Sequence, residues 1–328
     1  QSHKSFNSNK DLSGTILGQK FELLAFVGRG GMSEVYKARH VITGKTVAVK
    51  IMHQKLARDE TTIRRLKQEA QAAGALTHPN ILGVHDFGID SSGTPFLVMD
   101  FIDGVSLSDL LRKDGPLTLD RFLSIMQQVA SALAHAQEQN VVHRDLKPSN
   151  IMIVNSGGKE TAKIVDFGIA KLVDQDEDGA QQRLTQTGEL FGSPLYMSPE
   201  QCTGAPVDPR SDIYAFGCVL YESLSGKPPH IGDTVYDTIH RHINGLPDPL
   251  MAPQIDEARK GRLEGIVLKC LAKAPTDRYQ NASDIESELR KISLSGSGGL
   301  IGRLGSAWQL NQAKNAARKK STVPLLVI

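Results

Sequence analysis

Apolar residues between positions 19 and 52 fall in short runs rich in valine and aromatics, KFELLAFVG, EVYKARH and TVAVKIM, and the pattern predicts three strands joined by glycine-bearing turns. Ile63, Leu66, Ala70 and Ala73 then recur at helical spacing within TTIRRLKQEAQAAGAL, with Gly74 and THPN as the stop signal. Two more strand-like runs follow, ILGVHDFGI and PFLVMDFI. From about Ser106 the period lengthens. LDRFLSIMQQVASALAHAQEQ sets Phe122, Met126, Val129 and Leu133 in one apolar stripe, and SDIYAFGCVLYESLSG, EGIVLKCLAKA and SDIESELRKI read as further helices. The pattern predicts a flexible segment over 1–17, a small sheet-rich lobe with one helix over 18–100 and a larger, mostly helical lobe over 101–292. Beyond Ile292, SLSGSGG has the composition of a flexible linker and opens a tail over 293–328.

Composition narrows the class without naming it. With 328 residues, 40% hydrophobic and 23% charged, the chain has what a large folded core requires, and disorder is excluded as the default. A net charge of +2 gives no whole-chain argument for binding nucleic acid. Five basic residues and no acidic ones lie in 293–328, so the body of the chain is mildly acidic. Cys202, Cys218 and Cys270 are far apart, with no CxxC pair, which argues against a disulfide framework or a zinc site and fits a reducing interior compartment. The first ten residues lack the apolar run of a signal peptide.

VGRGGMSEV places Gly28, Gly30 and Gly31 between two predicted strands, where missing side chains let backbone N–H groups approach phosphate oxygens. A plain hairpin turn is the rival reading. A dinucleotide fold would need a helix after the glycines, and a strand follows instead; TGKT at 43–46 lacks the upstream glycine of a phosphate loop. Lys50, flanked by Val49 and Ile51 in a half-buried strand, calls for an anionic partner. Glu69, at the edge of the buried stripe of its helix, is a candidate, and two unrelated surface charges are the alternative.

HRDLKPSN at 143–150 and DFG at 166–168 add the remaining chemistry. Taken in order, GxGxxSxV at 28–35, VAVK at 47–50, HRDLKPSN, DFG and SPE at 198–200 resemble the signature set of protein kinases, most closely the eukaryotic-like Ser/Thr kinases of bacteria, over about residues 18–292. The resemblance implies a two-lobed α+β kinase fold, with a small antiparallel-sheet N-lobe carrying one helix and a larger, mostly helical C-lobe. It implies transfer of the γ-phosphoryl of ATP, with Mg²⁺ and with Mn²⁺ as a substitute, to Ser or Thr hydroxyls of protein substrates. By resemblance, Lys50 holds the α- and β-phosphates and Glu69 fixes its ammonium, Asp166 and Asn150 ligate metal, Asp145 orients the acceptor hydroxyl, and Lys147 neutralises charge on the moving phosphate. Val27, Gly28, Gly30, Gly31, Val35, Ala48, Met99, Asp100, Ile102 and Met152 would surround the nucleotide, with Met99 controlling access behind the adenine. For Val35, Ala48 and Met152, ordinary core packing is the competing account. Arg278 would pair with Glu200, and Asp212 would hold the catalytic loop.

The sequence departs from the family pattern where Ser33 replaces the third glycine, where SPE stands for APE, and where Ser193 takes the threonine position of the acceptor-side loop. A pseudokinase scaffold would usually lack one of Lys50, Glu69, Asp145, Asn150 and Asp166, and all five are present. A small-molecule phosphotransferase lacks support, since GSPLYMSPEQ resembles a peptide-binding loop. In LTQT, Thr185 and Thr187 fall in the activation segment, and by resemblance are phosphorylated by a second copy of the chain, with Arg144 as the phosphate receiver. Such phosphothreonines also dock phosphothreonine-binding partners in the bacterial kinases. The tail, basic and then apolar to Ile328, reads equally as a disordered end or as the cytoplasmic approach to a transmembrane helix, which would tether the kinase domain to the inner face of a membrane.

Overall fold

The computed structural model describes residues 11–30, 33–53, 60–167 and 194–294. Gly31, Thr185, Thr187 and Ser193, most of the N-terminal segment and all of the tail beyond Leu294 lie outside the described residues.

The smaller lobe is one antiparallel sheet of six strands, in the order β1 (Ile16–Leu17), β2 (Phe21–Arg29), β3 (Ser33–His40), β4 (Thr46–Met52), β6 (Pro95–Asp100), β5 (Val84–Ile89). Strand β4 is central and buried from Val47 to Met52, which is why TVAVKIM reads as a nearly unbroken apolar run. Its alternation divides the lobe. Val47, Val49 and Ile51 join Phe21, Leu23, Tyr36 and Val98 in one core, whereas Ala48 packs with Leu82 and Met99 in another. Strand β1 falls inside the segment expected to be flexible, because Gly14 and Thr15 bond to both polar groups of the Leu23 backbone, at 2.7 and 2.9 Å. Helix α1 (Glu60–Ala75) runs on through Gly74, so the helix stops at the THPN signal and not at the glycine.

The larger lobe is built on α3 (Leu119–Glu138), whose expected stripe of Phe122, Met126, Val129 and Leu133 is fully buried or nearly so. Helix α2 (Leu107–Asp114) precedes it, and a small sheet of β7 (Val105–Ser106), β8 (Ile151–Ser156) and β9 (Lys159–Ile164) lies at the lobe boundary. Helix α4 (Pro199–Thr203) is short, and α5 (Pro209–Ser225) is buried on nearly every side. Asp208 caps α5 by accepting from the Arg210 N–H at 2.8 Å. At Gly217 a β-carbon would stand 2.7 Å from Cβ of Cys270, so only glycine lets α5 and α7 (Glu257–Cys270) approach this closely. Helices α6 (Val235–Asn244) and α8 (Ala282–Leu294) complete the lobe, α8 lying along α3. Helix α7 begins seven residues before the expected run EGIVLKCLAKA and ends four residues before its last residue, with Asp256 supplying the cap. The three cysteines are free thiols. Among the described residues no helix is long and apolar enough to cross a membrane.

Candidate active site

The lobes meet where Leu82 N–H donates to the Ile164 carbonyl at 2.9 Å and Ile164 N–H donates to the Asn80 carbonyl at 2.8 Å. That junction brings the motifs read from the sequence to one cleft. On its upper side, the hairpin of β2 and β3 carries Gly28 opposite Val35, closed by a 2.8 Å bond from Gly30 N–H to the Ser33 carbonyl. Among the described residues, no atom beyond its chain neighbours lies within 4 Å of a β-carbon placed on Gly28, so this face of the hairpin has room for a ligand. Val27 is more than half exposed beside it.

Behind the hairpin, Ala48 faces Met99 across β4 and β6, and both pack with Leu82, Val35, Phe101, Ile102 and Val165. Val35, Ala48, Met99 and Ile102 therefore form one apolar group, while Met152 on β8 is half-buried outside it. Met99 also lines a small cavity with Ala73, Leu82, Val84, Leu97, Asp166 and Phe167. The Asp100 N–H is spent on the Gly83 carbonyl at 2.9 Å, and its carboxylate on His85 Nε2 at 2.6 Å and Lys45 Nζ at 3.5 Å.

Lys50 is 8% exposed and needs the anion the sequence called for. That anion is Asp166, whose Oδ1 takes the Lys50 ammonium. The expected pair with Glu69 does not form: Glu69 Oε1 instead lies 3.5 Å from Nη1 of Arg144. Burial pushes the Glu69 carboxyl above its ordinary range and the Arg144 charge pulls it back, so the glutamate is held by whichever cation α1 presents it to. Arg144 is thereby engaged by a carboxylate at the position where the sequence suggested a phosphate.

The catalytic-type loop is fixed from three directions. Asp212, buried at the start of α5, accepts the His143 N–H at 2.6 Å and the Arg144 N–H at 2.8 Å, as expected. Burial raises its carboxyl above the usual range against the pull of His143 and Arg144. The His143 ring accepts the Asp145 N–H on Nδ1 at 3.2 Å, which leaves Nε2 to donate to the Val165 carbonyl at 3.0 Å. Phe167 packs on that ring at 4.7 Å between centroids. Arg144 and Asp166 both have positive φ, 65° and 63°, a left-handed backbone that costs non-glycine residues on the order of 1–3 kcal/mol and concentrates at functional sites.

Within this frame Lys147 Nζ donates to Asp145 Oδ2 at 2.8 Å. Asn150 Nδ2 donates to the Asp145 carbonyl at 2.9 Å and to its Oδ2 at 3.3 Å. The Asn150 amide nitrogen is thus committed to Asp145, and its oxygen is the atom a cation would take. With the Asp166 carboxylate, 40% exposed, the site offers two hard oxygen donors that suit a cation completing its shell with phosphate and water. Below, Glu200 and Arg278 form the expected pair, bidentate at 2.7 and 2.8 Å, with the Ser211 hydroxyl donating to Glu200 at 2.5 Å. His143 as an adapter between Val165 and Asp145 is the functional residue that sequence spacing alone did not single out.

A family model described as a protein kinase domain matches residues 21–288. The serine/threonine-protein kinase PknB of Mycobacterium leprae is 39% identical over 279 residues, covering 84% of this chain and 43% of that protein. The PknB of Mycobacterium tuberculosis is 38% identical over 279 residues, again covering 84% and 43%. The chain therefore spans about two-fifths of the length of the curated relatives it matches. The crystal structure of the Mycobacterium tuberculosis PknI kinase domain superposes with a TM-score of 0.66 at 27% identity, over 86% of this chain and all of that one.

Proposed function

The chain belongs to the protein kinase family, and from that premise we propose that it transfers the γ-phosphoryl group of Mg²⁺-ATP to serine and threonine hydroxyls of protein substrates. The observation that carries this reading is the convergence of Lys50, Asp145, Lys147, Asn150 and Asp166 in one cleft beneath an open glycine hairpin. The apolar group of Val35, Ala48, Met99 and Ile102 takes the adenine, with the Asp100 carbonyl and the Ile102 backbone at its edge. Asp166 and Asn150 would hold the metal, which when bound would supply charge neutralisation on the phosphates. Asp145 accepts the hydroxyl proton, and Lys147, already 2.8 Å from that carboxylate, stands where the transferring charge develops.

Regulation follows from the two ion pairs. Lys50 must leave Asp166 for the phosphates, and Glu69 is the carboxylate that fixes it once released from Arg144. Phosphate on Thr185 or Thr187, added by a second copy of the chain, competes with Glu69 for Arg144 and so favours that exchange. Such phosphothreonines also offer a site for a phosphothreonine-binding partner. The reading is tested by incubating the wild type, Asp145→Asn and Lys50→Met with labelled ATP, Mg²⁺ and a protein acceptor. Incorporation falls by at least about a hundredfold in both variants; equal incorporation in all three refutes it.

A further inference from the structure

The peptide bond that leads into Asp145 is held at both polar ends by side chains. Its N–H, from Asp145, donates to Nδ1 of His143 at 3.2 Å. Its carbonyl, from Arg144, accepts from Nε2 of Gln201 at 2.8 Å. Arg144 sits at φ 65°, a conformation that persists in a non-glycine residue only where the surroundings enforce it.

Gln201 is not part of that loop. It is the third residue of α4, and its Oε1 accepts the Ser198 N–H at 3.0 Å and the Ser198 hydroxyl at 3.3 Å, while its own N–H donates to Ser198 Oγ at 3.3 Å. A single planar amide thus turns its oxygen to the start of its own helix and its nitrogen to the catalytic loop. The donors and acceptors around it fix that orientation, since a flipped amide would set oxygen against the Arg144 carbonyl and nitrogen against the Ser198 N–H. A carboxylate could serve the helix cap equally well but has no hydrogen to give the loop.

We propose that Gln201 is a positioning residue for Asp145, coupling the seated state of α4 to the orientation of the catalytic carboxylate. The inference rests on the reading of Asp145 given above. Glu200, its neighbour, is pinned by Arg278, so α4 is a fixed post, and the 2.8 Å bond carries the position of that post to the Arg144 carbonyl. The acceptor-side turn Pro194–Tyr196 leads directly into the same helix. The surface that presents the acceptor and the group that takes its proton are therefore tied by one hydrogen bond.

Gln201→Glu keeps the length and the cap and replaces the donor by an oxygen facing the carbonyl. In the full chain, three quantities are compared with the wild type: melting temperature, amide hydrogen exchange over residues 143–146, and kcat with KM for ATP and a protein substrate from about pH 6 to about pH 8.5. The expected result at the upper pH is faster exchange in that loop and kcat lower by about tenfold, the scale of one well-placed hydrogen bond, with both KM values within about twofold. The variant-to-wild-type ratio of kcat climbs towards about pH 6, because the introduced carboxyl, set against the Arg144 carbonyl oxygen, is pushed above the ordinary glutamate range and, once protonated, regains a donor. Ser198→Ala, which weakens the cap alone, lowers the melting temperature and leaves that ratio independent of pH. Unchanged exchange over 143–146 in Gln201→Glu overturns the inference whatever the activity does. So does a loss of kcat that is equal at every pH and accompanied by a fallen melting temperature. A wild type that transfers no phosphate refutes the proposed function instead, and the exchange comparison still decides the role of Gln201.

Discussion

Replacing Arg278 by methionine removes the most completely satisfied cation in the described residues and leaves its partner buried. The guanidinium is wholly inaccessible and donates to Glu200 Oε1 and Oε2, and to the carbonyls of Ala272, Arg210 and Lys273, all between 2.7 and 3.0 Å. Breaking a buried pair from one side costs about 3–5 kcal/mol, which for a domain of this size lowers the melting temperature by about 6–20 °C. The pH dependence gives the argument its sharper form. Burial on its own would raise the Glu200 carboxyl, but hydrogen bonds from Arg278 and Ser211 outweigh it and hold the group below its ordinary range. In the wild type, Glu200 therefore stabilises the fold above the ordinary glutamate range, and that contribution is lost as pH falls through the lowered value. Without Arg278 the sign reverses: the carboxyl is raised, and its penalty appears as pH rises through the raised value. Thermal melts at about pH 8 and about pH 5 should show the deficit of Arg278→Met shrinking at the acid end. The double variant Arg278→Met/Glu200→Met recovers most of the loss at both. A deficit below about 2 °C, or one equal at the two pH values, would refute the reasoning.

Two further outcomes follow from the site. Burial raises the Glu69 carboxyl, so the ionised group opposes folding at neutral pH; Glu69→Gln raises the melting temperature at about pH 8, the gain fading as pH falls, while initial phosphorylation rates drop several-fold in the same preparation. If Thr185 and Thr187 are the regulatory sites proposed above, intact mass of protein made with ATP present shows added phosphate on the wild type that Thr185→Ala/Thr187→Ala lacks, and the double variant is less active; undiminished activity would remove these threonines from the regulatory account.

Local pattern carried much of this architecture. TVAVKIM and PFLVMDFI announced the central strands because both faces are covered, and the α3 stripe was legible because one face packs on the core over twenty residues. Helix α6, VYDTIHRHIN, escaped because it buries chiefly Thr238, Ile239 and His242, too few apolar positions to mark a period. The hairpin of β8 and β9 escaped for a similar reason: only alternate residues of IMIVNS and KETAKI are fully buried. At the site, residue types were readable but pairings were not. That Lys50 needed an anion followed from its flanks; which carboxylate meets it depends on how α1 sits against β4, and here α1 offers Glu69 to Arg144 while Asp166 takes the lysine. Gln201 gave no signal at all, since its importance lies in a carbonyl 57 positions away.

The anchor between Glu200 and Arg278 also sets a clock on the birth of the molecule. Seventy-eight positions separate the two residues. At a synthesis rate of about 5–20 residues per second, Glu200 is joined to the chain about 4–16 s before its partner. Every motif from the glycine hairpin to SPE precedes Arg278 in the sequence, yet the post that bears Gln201 lacks its Arg278 anchor until that residue arrives. The reactive side chains are thus made before the arginine that anchors Glu200, and the pair can close only once the helical lobe has been synthesised through Arg278.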